Sequence, residues 1–120
     1  NYVTELVLEA GDWRLNTVFS NIEVKVKTGS QPSYLEAYKQ LTNSTGDAFG
    51  SYGINRVVYG NKYVSHMLYN GSNSIQELND GLDQVYASNE FKTFNRKVGN
   101  IRKLVNSTLA QLVKAYPAER

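Results

Sequence analysis

Residues 54–69 read INRVVYGNKYVSHMLY. Two β-rich runs, 54–59 and 62–69, flank Gly60 and Asn61. Both turn residues tolerate the positive φ angles of a tight turn, so the stretch predicts an antiparallel hairpin. On the second run Val64, His66 and Leu68 share one face, while Tyr63, Ser65, Met67 and Tyr69 share the other. Each face carries large apolar groups, so neither can be left in water without cost.

Upstream of the hairpin, Ile22, Val24 and Val26 alternate with Glu23, Lys25 and Lys27, the period of a strand with one apolar face. A shorter β-rich run, VTELVLE at 3–9, precedes it. Between residues 30 and 45 Pro32 suits a first helical turn, and Tyr34, Leu35, Tyr38 and Leu41 follow helical spacing. The glycine-rich segment 42–53 reads as a helix end and loop. Downstream, Ser74 and Glu77 have capping-box spacing ahead of a stripe of Ile75, Leu78, Leu82 and Val85, which predicts a helix over 75–87. Phe91, Phe94, Val98, Ile101, Val105, Leu109, Leu112 and Tyr116 then recur at threes and fours, predicting one long helix over 90–115.

The order is therefore two strands, a helix, a hairpin and two helices, in one domain spanning residues 1–120. Strand, helix, hairpin and helix make most of a ferredoxin-like α+β unit, an antiparallel sheet with helices on one face. The long final helix leaves that unit without its usual last strand. The N-terminal strand is expected to take the vacant place beside strand 18–27. The bare sheet face is expected to pack on a second copy as a homodimer.

These segments resemble the dimeric α/β-barrel superfamily. The resemblance rests on IEVKVKTGSQPSYLEAYKQL, INRVVYGNKYVSHMLY and NSIQELNDGLDQVYASNEFKTF, and covers residues 18–116. That group includes antibiotic-biosynthesis monooxygenase-like and stress-responsive barrel proteins. The resemblance implies a cofactor-independent oxygenase or binder acting on a small aromatic or polyketide-like ligand. The substrate itself would supply electrons to oxygen. A non-enzymatic ligand-binding or structural homodimer is the alternative.

Composition narrows the chemistry. The chain has no cysteine and one histidine, which excludes disulfides, thiolate metal sites and a metal site of several imidazoles within one chain. No dinucleotide, phosphate-loop or metalloprotease motif occurs, so neither a cofactor nor a metal is expected. No apolar run reaches the ~18 residues of a membrane span. Asn-x-Ser/Thr triplets at Asn43, Asn70 and Asn106 fit chance in an asparagine-rich chain. Localisation stays open between the cytoplasm and export after removal of a signal segment.

His66 is the one side chain that ordinarily titrates near neutrality, and it is the expected general base. Arg56 is expected to hold the resulting anion. This assignment favours the His66 face looking away from the helices, with Tyr63 and Tyr69 toward them; the reverse would make His66 structural. Tyr59, Tyr63, Trp13 and Asn55 are the candidate ligand contacts, and Tyr34, Tyr38, Tyr52 and Tyr69 are further candidates to line an aromatic cavity. Residues 91–120 carry seven basic side chains and one acidic. On the expected helix, Lys92, Arg96, Lys103 and Lys114 lie opposite the apolar stripe. That suits a solvated face, and leaves nucleic-acid contact as the weaker alternative.

Overall fold

The computed structural model describes residues 3–59 and 63–111. The expected turn at Gly60 and Asn61 lies outside them, as do Leu112, Lys114 and Tyr116. Five strands, β1 (Val3–Gly11), β2 (Val18–Val26), β3 (Ser51–Tyr59), β4 (His66–Ser72) and β5 (Arg102–Gln111), form one sheet in the order β1-β3-β4-β2-β5. Every neighbouring pair is antiparallel. Three helices, α1 (Gln31–Thr45), α2 (Ile75–Tyr86) and α3 (Asn89–Val98), pack against it. The connection β2–α1–β3 leaves room for β4 between its strands, and β4–α2/α3–β5 straddles β2. This is the ferredoxin-like α+β arrangement with one strand added at the β3 edge.

Two expectations are corrected. The helix over 90–115 does not form. The chain is helical only to Val98; Gly99 caps α3, and residues 102–111 are a strand. Val105 and Leu109 fit a helical stripe and a half-buried strand equally well. What decides between them is the free edge of β2, which offers a full ladder of backbone partners from Val18 to Val26. The basic residues therefore divide, with Lys92 and Arg96 on α3 and Lys103 on β5. The second correction follows from the first. Because β5 fills the place beside β2, the N-terminal strand lies at the opposite edge, on β3. Both outer strands are irregular: register slips between Leu6 and Leu8 on β1, and opposite Glu23 and Val24 on β5.

The helices follow their local signals. Ser74 Oγ accepts the Glu77 amide at 3.1 Å, as the capping-box spacing predicts. Ser88 does the same for Phe91 and sharpens the break between α2 and α3. All three helices cover one side of the sheet. Val24, Val26 and Ile54 from the strands meet Tyr34, Leu41, Val85, Phe94 and Val98 from the helices in one core. Register then assigns the remaining faces, since Val24 lies opposite His66 and Ile22 opposite Leu68.

Candidate functional site

The parity of β4 is the reverse of the favoured expectation. His66 and Leu68 look toward the helices; Met67 and Tyr69 look to the bare face. The strongest apolar alternation, on β2, must face the helices, and pairing locks β4 to it. His66 is 4% exposed. Its Nδ1 lies 2.9 Å from Ser65 Oγ, and its ring is 6.0 Å from that of Tyr34. Burial, followed by the charge of Arg56, lowers its pKa below the usual imidazole value. Arg56 stands directly across from His66 on β3 and pairs with Glu5 on β1. The structure thus brings the two together, but neither lines either of the two aromatic cavities.

The first cavity is a bowl of about 450 Å³ on the bare face. It contains three sequence candidates, Trp13 from the 3-10 turn after β1, Asn55 from β3 and Tyr69 from β4. Phe19 and Tyr69 form its aromatic floor, with ring centroids 6.3 Å apart and planes at 64°. Two glycines make this floor. A Cβ on Gly53 would stand 2.6 Å from Tyr69 Cε1, and one on Gly71 would stand 2.8 Å from Phe19 Cε1. Glu9 and Asn21 add polar walls, and Leu6 and Met67 apolar ones. The Tyr69 hydroxyl is buried beside the Glu9 carboxylate. Burial, then the charge of Glu9 and a hydrogen bond to it, then the charge of Asp12, push its pKa up to about 12.

The second cavity is a crevice of about 350 Å³ between the helices and the sheet. Tyr34 of α1, Tyr52 of β3, and Phe91 and Phe94 of α3 supply aromatic walls. Tyr34 meets Phe94 edge-on at 5.9 Å, and Phe91 stacks on Phe94 at 6.1 Å. Gly46 admits the Tyr52 ring, which a Cβ there would approach to 2.5 Å. One cation belongs to the crevice. Arg102 lies 5.7 Å over the Phe94 ring and donates to Asn95 Oδ1 at 2.7 Å. Burial raises the Tyr34 pKa to about 12, against the opposing charge of Arg102.

Of the other candidates, Tyr63 is exposed and lines neither cavity, and the Tyr59 side chain lies outside the described residues. Sequence reasoning missed Glu9, Phe19 and Asn21 in the bowl, and Phe91, Phe94 and Arg102 in the crevice. Arg102 was hidden by the helix expected over it. Phe91 and Phe94 gave a signal, since aromatic pairs three apart on a helix meet side by side, but it was read as core packing. Among the described residues no group of three or more acidic or imidazole side chains could hold a metal ion, and no helix is long and apolar enough to cross a membrane.

No family model matches the chain, and no curated protein matches its sequence. Solved structures do resemble it. A putative monooxygenase from Lactobacillus acidophilus NCFM superposes with a TM-score of 0.61 at 12% identity, over 93% of this chain and 50% of that one. A major regulator of staphylococcal pathogenesis gives 0.59 at 12% identity, over 94% and 69%. A NipSnap family protein of unknown function from Agrobacterium tumefaciens str. C58 gives 0.57 at 13% identity, over 85% and 94%. This chain therefore spans half the length of the monooxygenase chain. At these identities the likeness is one of fold, and the fold is ferredoxin-like α+β.

Proposed function

We propose that the protein binds a planar aromatic or polyketide-like acid in the helix–sheet crevice and passes it to dioxygen without a cofactor, as antibiotic-biosynthesis monooxygenase-like proteins do. The carrying observation is the aromatic crevice with Arg102 at its edge. Flat walls suit a flat ligand, and the guanidinium favours the phenolate or enolate form, the electron-rich form that reacts with oxygen. The similar fold of the Lactobacillus protein supports this reading. His66 and Arg56 enter it indirectly: His66 packs behind Tyr34, whose ring lines the crevice. In this reading two copies associate through the bare sheet face, where Leu6, Phe19 and Met67 lie uncovered by helices.

The test uses a hydroxylated anthrone in air-saturated buffer. Oxidation of its CH2 to C=O consumes one O2 and releases one water, read by an oxygen electrode and by quinone absorbance. Turnover is expected, with a loss of about tenfold or more in Arg102→Ala. Saturable binding without oxygen uptake would favour the non-enzymatic binder. No binding would end the reading. Replacing His66 by Ala tests its contribution in the same assay. Light scattering tests the pair, for which a monomer mass at micromolar concentration is the contrary result.

A further inference from the structure

On the bare face, three aromatic rings and one carboxylate converge. Trp13 stands at the rim of the bowl, Phe19 and Tyr69 lie on its floor, and Glu9 forms part of its wall. The geometry points to this bowl as a binding site for a small organic ammonium ion, its nitrogen against the rings and its charge toward Glu9. The faces of aromatic rings carry negative potential and attract such ions, tryptophan most strongly. Glu9 is in no salt bridge among the described residues. Arg14, which feels the charge of Glu9, is held by Asp12 through Nε at 2.9 Å and Nη2 at 3.3 Å. Glu9, Asp12 and Arg14 together leave one negative charge beside the bowl.

Alternative ligands fit less well. An anion would meet Glu9. A wholly apolar ligand would cover Glu9, Asn21 and Asn55 without replacing their hydrogen bonds to water. An ammonium ion with a hydroxyl or carbonyl tail answers both, its head among the rings and its tail at the amides. The Tyr69 pKa is raised first by burial and then by the charges of Glu9 and Asp12, which stand on this side of the sheet. This inference does not depend on the crevice reading. Should two copies associate through the bare face, the bowl would lie at the seam between them.

Trp13 is the only tryptophan, so its fluorescence reports on the rim directly. The probes are choline and 3,3-dimethylbutan-1-ol, the uncharged carbon isostere of choline. Choline is expected to give a saturable change, and the isostere to bind about tenfold more weakly or worse. Glu9→Gln should weaken choline about fivefold and leave the isostere unaltered, with an unchanged circular dichroism spectrum. Glu36→Gln, an exposed change on α1, should leave choline binding intact. Equal affinity for the two probes, the same loss in Glu36→Gln, or no saturation would overturn the proposal. If Glu9→Gln fails to fold, the comparison of choline with its isostere on the unaltered protein still decides. Glycerophosphocholine identifies the source: binding as tight as choline assigns the ion to a lipid headgroup, and weaker binding assigns it to a free amine. Either result supports an ammonium site.

Discussion

The two faces of the sheet use the same materials to opposite ends. The covered face places Ile54, Val24 and Val26 in a dry core and leaves a crevice edged by a cation. The bare face sets Phe19 and Tyr69 on two glycines and leaves a bowl walled by a carboxylate. Aromatic content alone therefore does not tell binding from packing. What separates the two sites is the charge at the margin of each and the presence or absence of helices above. Strand alternation makes the contrast sharp, because adjacent residues belong to different environments.

Ile54 and Asn55 offer the strongest test. Ile54 is fully buried on the covered side; Asn55 beside it lines the bowl. Ile54→Asp should cost more than about 4 kcal/mol, because it places a charge in the core with no partner. Asn55→Asp should cost less than about 1 kcal/mol. Urea denaturation of both variants checks this. Comparable losses would show that the bare face is as dry as the covered one.

A smaller effect comes from His66, the titratable ring on the covered side. Its folded pKa lies below the ordinary 6.5, so over the intervening pH range the unfolded chain binds the proton more readily. Its contribution is therefore intact above that range. It declines as pH falls through 6.5 toward the folded value. Melting temperatures of the unaltered protein and of His66→Gln, followed from about pH 8 down to about pH 5, should converge as acid is added. A constant gap would place the ring in water.

The finest comparison uses two buried tyrosine hydroxyls: Tyr38 in the core, with no hydrogen-bond partner among the described residues, and Tyr69 in the bowl, beside Glu9. Removing an unpaired buried hydroxyl relieves a desolvation cost. Tyr38→Phe should stabilise by up to about 1 kcal/mol, and Tyr69→Phe by less, because the Tyr69 hydroxyl has Glu9 beside it. A loss of stability in Tyr38→Phe would reveal a hydrogen bond to a water molecule.

The sequence was most informative where a local signal and the tertiary fold agreed. Ser74 with Glu77, the alternation at Ile22, Val24 and Val26, and the paired runs around Gly60 were enough to reach the ferredoxin-like class. It misled where one pattern served two structures. From Val98 to Leu109 the apolar spacing fits a helix, and only the open edge of β2, which no local reading can see, made it a strand. The face of His66 was undetermined for a related reason. Both sides of β4 are apolar, and register against β2 chooses between them. The bowl was half legible: Trp13, Asn55 and Tyr69 were singled out, whereas Phe19 joins them through the pairing of β2 with β4, and Glu9 only through a strand order that placed β1 on the far edge.

Among the described residues that strand order leaves two open sheet margins, and neither is a straight rail. The register slip on β1 and the one on β5 each interrupt the even row of amide and carbonyl groups that an incoming strand would need. The chain can thus expose Leu6 and Val7 at one margin and Leu104 and Val105 at the other while resisting end-on-end stacking into fibrils.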